Sequence, residues 1–240
     1  MHAQQGGLCL ITGQPGTGKS ILKQHLMEHD PKTVITPVVN RTLHTYFNTL
    51  KVLCDAFGLD DDGLAHAIEK RLIQHAFKLH QQGKLLVPII DDAHLLHTDC
   101  LRKLRLLMED FPRTHNLVLI GQPELLNTLR LISNEDIRSR VTYSVELKKL
   151  PAEDIKTFIL DQFDRANLGH NALSDDALDL ITRSSEGILR RAKNLTVSSL
   201  IEVVRDQERQ VTIEHVNRIL TQPHWRQEIT QDYRVRREPE

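Results

Sequence analysis

The chain has 240 residues, a formal net charge of −1, 40% hydrophobic and 26% charged residues, the balance of an ordinary globular protein. No uninterrupted apolar run approaches the roughly 20 residues that span a bilayer, and no charged-then-apolar leader precedes Leu8, which predicts a cytoplasmic protein with no membrane partner. The near-zero charge excludes a general attraction to nucleic acid, and three cysteines (Cys9, Cys54 and Cys100) without CxxC spacing exclude a disulfide framework or a cysteine metal centre.

The first predicted element is an apolar strand over residues 8–12. It runs directly into the octet Gly13-Gln14-Pro15-Gly16-Thr17-Gly18-Lys19-Ser20, and a helix is predicted over 19–29 with Ile21, Leu22 and Leu26 on one side. The octet fits the phosphate-loop pattern, four residues separating its first and last glycines and Lys-Ser closing it. Glycines let the backbone turn its amides inward around phosphates, and the following helix N-terminus adds a partial positive charge. Lys19 then reaches the β- and γ-phosphates of ATP, while the Ser20 hydroxyl ligates Mg²⁺. An ordinary glycine turn is the bland alternative, and the strand–loop–helix setting argues against it.

Further strands are predicted over 33–39, 84–91, 117–121 and 142–147. Helices at 43–57, 64–82, 100–109 and 124–131 alternate with them, the signature of a parallel sheet covered on both faces. After Pro151 the strand patterns cease. Four helices are predicted over 151–165, 174–184, 188–207 and 212–220, each with a plausible start or stop signal. The organisation expected is an α/β core with five parallel strands over 1–150, a small all-helical domain over 151–222, and a tail over 223–240.

Several residues have two readings. Asn40 and Arg41 follow the second strand, where Arg41 suits a phosphate, DNA or a structural role. Arg102, Lys103 and Arg105 share a helix with Leu101, Leu104 and Leu107, which reads as an amphipathic helix with a wet basic face, a nucleic-acid role being the alternative.

The stretch "KLLVPIIDDAHLL" (84–96) is an apolar strand ending in Asp91-Asp92. Its end falls at the carboxyl edge of the sheet, where ligands of open α/β sheets bind. Asp91 is the candidate Mg²⁺-side carboxylate, and Asp92 the candidate for orienting or deprotonating an attacking water. His94, one of thirteen histidines, reads as a surface or supporting residue rather than a catalytic one.

These motifs together resemble the AAA+ ATPases, a P-loop NTPase group, and within them the branch holding the ExeA/GspA secretion ATPases and the TnsC/MuB transposition ATPases. Asp91-Asp92-Ala93-His94 is similar to the branch's "DEAQ" Walker B, and Gly121-Gln122-Pro123-Glu124-Leu125 to its "GQPEL" strand end, which implies Gln122 as sensor 1. Arg138-Ser139-Arg140-Val141 resembles its "RSRV" turn, which implies an arginine finger, with Arg140 the better placed. Gly187-Ile188-Leu189-Arg190 resembles a "GxxR" opening a lid helix, which implies Arg190 as sensor 2. Surface capping of a turn is the alternative for Arg138 and Arg140. A solvated basic face shared with Arg191 and Lys193 is the alternative for Arg190.

Two departures from the family stand out. Asp92 occupies a position where relatives carry Glu, implying slow hydrolysis or a persistent nucleotide state, and only seven residues precede the first strand, leaving the adenine contact unassigned. The resemblance implies ATP and Mg²⁺ as ligands and a homo-oligomer, ring or helical filament. Its leading functional expectation is a regulator that binds double-stranded DNA through the backbone and recruits or activates a transposase. A secretion-associated ATPase of the ExeA/GspA kind and a nucleotide switch without DNA are the alternatives. The end of the chain at Glu240, with no membrane helix or cell-wall domain, favours transposition; a tail around Trp225, Tyr233 and Arg234 suits a partner or a neighbouring subunit. Aromatic content of 4% argues against a base-stacking binder.

Overall fold

The computed structural model describes residues 6–39 and 45–225. Asn40, Arg41 and the tail beyond Trp225 lie outside the described residues. The chain forms two compact units that divide between Lys148 and Lys149.

In the first unit, β1 (Gly7–Gly13) leads into helix α1 (Lys19–Glu28). The strand predicted over 33–39 is observed as β2 (Val34–Ile35) and β3 (Val38–Val39), and that predicted over 84–91 as β4 (Leu85–Leu86) and β5 (Ile89–Ile90). Pro37 and Pro88 cause both interruptions, because proline has no N–H to donate to a neighbouring strand. The two lines of chain nevertheless stay paired throughout. The amides of Leu85, Val87, Ile89 and Asp91 donate to the carbonyls of Thr33, Ile35, Pro37 and Val39 at 2.7, 2.8, 2.9 and 3.0 Å.

With β6 (Asn116–Gly121) and β7 (Val141–Leu147), the main sheet has the order β3-β5-β6-β1-β7. Its neighbours all run parallel, as the α/β pattern requires. Around it lie α2 (Tyr46–Phe57), α3 (Ala65–Gln81), α4 (Thr98–Glu109), α5 (Glu124–Arg130) and the single turn α6 (Glu135–Arg138). The sequence pattern did not announce α6, whose four residues are too few for a periodicity.

Alternation along the strands divides the apolar residues between two faces. Leu8 and Leu10 of β1 and Leu117 and Leu119 of β6 join Leu50, Leu53, Ile68, Leu72, Leu101 and Leu104 from α2, α3 and α4. Ile11, Val118 and Ile120 point the other way, against Leu22 and Leu26 of α1. Strands buried on both faces explain why their sequences are almost continuously apolar.

The second unit comprises α7 (Ala152–Arg165), α8 (Asp175–Ser184), α9 (Leu189–Asp206) and α10 (Ile213–Leu220). Ile155, Ile159 and Phe163 of α7 bury one stripe against Ala177 and Ile181 of α8, Leu195 of α9 and Val216 and Ile219 of α10. Ser174 caps α8 by accepting from the Ala177 amide at 3.2 Å, and His215 Nδ1 accepts from the Thr212 amide at the start of α10. One parallel bridge, Leu173 to Val211, is the sole extended pairing among the described residues of this unit. No described helix is long and apolar enough to cross a membrane.

Candidate functional site

Register fixes which residues share the carboxyl edge of the first unit's sheet. Thr12 pairs with Gly121 and Ile90 with Leu119, so the chain leaves β1, β6 and β5 on one edge, at Gly13, Gln122 and Asp91 respectively. The order β5-β6-β1 sets the glycine loop two strands from the acidic pair, with Gln122 emerging between them.

The loop itself has the backbone its glycines predict. Gly16 and Gly18 have φ of 86° and 104°, a region that other L-residues rarely adopt. At Gly13 the constraint is space: a Cβ there would lie 2.7 Å from Thr17 Oγ1 and 2.9 Å from the Leu147 carbonyl. Thr17 closes the turn by donating its hydroxyl to the Gln14 carbonyl at 2.9 Å. Helix α1 then starts with no side-chain cap and no acidic residue in its first turn, so its N-terminal amides keep their capacity for an anion. Lys19 Nζ donates to the Gly13 and Gln14 carbonyls at 2.7 and 2.9 Å, folding the ammonium over the loop. Ser20 is exposed at the helix start. An uncapped helix N-terminus, an ammonium held above it and a nearby carboxylate fit a magnesium nucleotide, with Ser20 and Asp91 the residues that would hold the metal.

Asp91 follows the last residue of β5, and both its carboxylate oxygens are engaged. Oδ1 accepts the Asp92 amide at 3.0 Å, and Oδ2 accepts Lys23 Nζ at 2.6 Å. Lys23 belongs to none of the sequence motifs. Its signal was available, since it lies one turn after Lys19 on the same face of α1.

Asp92 has a left-handed backbone, φ 51°, and its side chain is 53% exposed and open to water. Behind it, the turn Ala93–Leu95 carries His94, whose side chain is only 10% exposed. His94 Nε2 lies 3.0 Å from Gln122 Nε2. The amide nitrogen can only donate, so the ring nitrogen accepts and the ring proton sits on Nδ1. That atom lies 4.0 Å from Asp92 Oδ1 and, among the described residues, is buried without a hydrogen-bond partner. Gly121 permits this approach, because a Cβ there would stand 3.2 Å from the His94 amide nitrogen. His94, expected as a surface or supporting residue, is largely buried, and its ring sits between the two residues expected to act on the terminal phosphate and the water.

Arg140 lies at the opposite, amino edge of the sheet, next to Val141, which pairs with Leu8. From there to Leu147, the partner of Gly13, is six residue steps, about 20 Å at about 3.3 Å each. An arginine side chain does not span that distance, so Arg140 and the glycine loop of one chain do not meet. Arg140 is 61% exposed and pairs with Glu109 at 3.1 Å. Beside it is an open cavity of about 690 Å³ lined by Arg105, Glu109, Arg113 and His115 among others.

Arg102 and Arg105 do not form the wet basic face expected of them. Arg102 Nε donates to Asp136 Oδ2 at 2.9 Å and Arg105 Nη1 to Glu109 Oε1 at 2.8 Å, with Arg105 only 14% exposed. Apolar spacing reveals which face of α4 is buried, but the acidic partner on α6 is distant in sequence. The Arg102 hydrogen bond holds the Asp136 carboxyl below the usual carboxylate range, so α4 grips the turn that carries Arg138. Lys103 is the third basic residue, and it sits 5.6 Å from the Tyr46 ring centre.

Arg190 belongs to the second unit. Gly187 precedes it at φ 76°, where a Cβ would stand 2.4 Å from the Leu150 carbonyl, so the glycine of the "GxxR" pattern is required by its surroundings. Arg190 is exposed in the first turn of α9, while Arg191 pairs with Glu186 at 3.0 Å. Two cations at a helix N-terminus oppose the helix dipole.

The AAA domain family matches residues 2–129 of this chain. General secretion pathway protein A of Aeromonas hydrophila is 31% identical over 191 residues, covering 77% of this chain and 35% of that protein. The chain therefore spans about a third of the length of this curated relative. Among solved structures, the Aeropyrum pernix ORC2 protein superposes with a TM-score of 0.71 at 18% identity, over 90% of this chain and 61% of that one. Cdc6p from Pyrobaculum aerophilum gives 0.72 at 20%, over 90% and 62%. The Aeropyrum pernix ORC1 protein in complex with DNA gives 0.67 at 20%, over 88% and 58%. At these identities the structures establish a shared fold.

Proposed function

The chain belongs to the AAA domain family and has the fold of a P-loop ATPase, and from that premise we propose that it is a magnesium-dependent ATPase that turns over only as a homo-oligomer. The observation that carries this reading is the placement of Arg140 about 20 Å from its own glycine loop, on the far edge of the sheet. An exposed arginine so placed serves the nucleotide of a neighbouring subunit, where a guanidinium stabilises charge developing on the transferred phosphoryl group.

Within one subunit, the loop amides and Lys19 bind the phosphates, and Ser20 and Asp91 hold Mg²⁺, which screens the terminal phosphate charge. Asp92 orients the water, Gln122 contacts the terminal phosphate, and Arg190 serves as the nucleotide-sensing arginine that the resemblance implies. The unfavourable position of Arg190 at a helix N-terminus supports a ligand role for it over a structural one.

Two partner readings follow. The 31% identity to a general secretion pathway protein supports an ATPase module of a cytoplasmic secretion component. The alternative is an ATP-loaded oligomer on double-stranded DNA that recruits or activates a transposase; a fold shared with a DNA-bound ORC1 protein is its support. With Arg102 and Arg105 committed to internal ion pairs, its DNA contact has to come from other basic residues.

The test combines nucleotide binding with assembly. Lys19→Ala should weaken ATP binding tenfold or more, about 1.4 kcal/mol, and the wild-type chain should sediment as an oligomer in ATP. Unchanged ATP affinity in a folded Lys19→Ala protein would overturn the nucleotide reading. Salt-sensitive DNA binding in ATP but not ADP would select the DNA reading over the secretion one.

A further inference from the structure

We infer that Lys23 is a built-in placeholder for the divalent cation at Asp91: its ammonium holds the metal-side carboxylate when metal is absent and opposes the metal when it arrives. The inference rests on the proposed magnesium-nucleotide site and concerns how that site handles its metal.

Lys19 and Lys23 lie four residues apart on α1, so they share one face of the helix. Lys19 is folded over the loop carbonyls, where phosphates would take it over. Lys23 is directed instead at Asp91 Oδ2, 2.6 Å away. Both members of the pair are largely buried, at 16% and 18% exposure, so water and salt screen them far less than a surface pair. The other oxygen, Oδ1, is held by the Asp92 amide. A carboxylate at the end of a strand, half enclosed, is thereby neutralised and fixed in orientation with no metal ion.

A dication that binds at Asp91 must do so beside this ammonium or in exchange for it. Either way it meets like-charge repulsion or breaks a close ion pair, and its hold is weakened. The same ammonium removes the penalty that an uncompensated Asp91 would impose on a metal-free nucleotide. The consequence is a site that accepts nucleotide with little dependence on magnesium, and takes the ion as a separate, modestly favourable step.

The experiment measures the dissociation constant of a fluorescent ATP analogue in EDTA and in saturating Mg²⁺, for the wild-type full chain, Lys23→Met, Lys23→Gln and Lys23→Arg. The ratio of the two constants reports the stabilisation by metal. In Lys23→Met it should rise at least tenfold over wild type. Lys23→Gln keeps a donor to Asp91 without the charge, which protects the fold, and it should show the same rise; Lys23→Arg should stay near wild type. The melting temperature in EDTA without nucleotide should fall in Lys23→Met. A folded Lys23→Gln protein with the wild-type ratio, or a lower one, would overturn the placeholder role while leaving the nucleotide site intact. Wild-type protein that binds no nucleotide in either buffer would overturn the site itself, and the placeholder with it.

Discussion

His94 Nε2 lies 3.0 Å from the side-chain nitrogen of Gln122, and the opposite ring nitrogen faces Asp92 at 4.0 Å. One imidazole therefore connects the residue proposed to contact the terminal phosphate with the residue proposed to hold the water. His94→Ala would free the Gln122 amide and remove the buried body behind Asp92. Turnover should fall at least tenfold, while ATP affinity stays within about twofold, because the lost contacts matter only once the water is aligned. Single-turnover hydrolysis beside equilibrium ATP binding checks it. A loss of binding equal to the loss of rate would show that His94 merely supports the fold.

The backbone at Asp92 bears on which acidic side chain suits this position. Its φ of 51° is left-handed, a conformation that aspartate tolerates better than longer side chains. Asp92→Glu should gain reach toward the water and lose about 1 kcal/mol of stability to backbone strain. The expected pair of results is faster turnover with a slightly lower melting temperature. Slower turnover in an equally stable variant would mean that the short side chain is the right length for this site.

Much of this site was legible from sequence because its parts are local. The glycines of the loop, the apolar strand ending in Asp91-Asp92 and the Gly121-Gln122 strand end each announce themselves within a few residues. Five strand lines were also legible, and their bounds failed only at Pro37 and Pro88, where the carbonyl ladder continues but two donors are missing. What stayed hidden depends on pairing between distant segments. Lys23 and Asp91 are 68 residues apart, and Arg102 and Asp136 are 34 apart. Charge on a helix face does not say whether its partner is water, nucleic acid or another helix.

The buried His115 gives the first unit a pH dependence. Burial pushes its pKa below the ordinary value and outweighs the opposing pull of the hydrogen bond that its Nε2–H donates to the Ala76 carbonyl at 3.2 Å, so the folded state favours the neutral ring. Between the lowered folded pKa and about 6.5 the unfolded chain binds the proton more readily, so stability is full above about pH 6.5 and falls as pH drops below it. His115→Gln keeps a donor for Ala76 and removes the titration. Urea midpoints from pH 7.5 to 5 should decline less steeply in this variant than in wild type. Equal slopes would assign the acid sensitivity to other groups.

Placement of Arg140 and Asp92 on opposite edges of one sheet makes complementation between subunits the sharpest test of the oligomeric reading. Arg140→Ala should retain ATP binding and lose nearly all turnover, and wild-type turnover per subunit should rise with protein concentration as neighbours assemble. Asp92→Asn should also bind ATP without turning it over. Each variant lacks a different half of the same interface. Mixed together, some interfaces bring an intact Arg140 from one subunit to an intact Asp92 of the next, so activity should return to a fraction of wild type, about a quarter if subunits mix at random and each interface acts alone. Arg140 also holds Glu109 at 3.1 Å, and losing an exposed pair of that kind costs at most about 1 kcal/mol, so unfolding does not account for the expected loss. If the mixture stays inactive although light scattering shows mixed oligomers, the arginine does not act across the interface. Activity of Arg140→Ala alone, equal to wild type at every concentration, would remove the arginine from the reaction altogether.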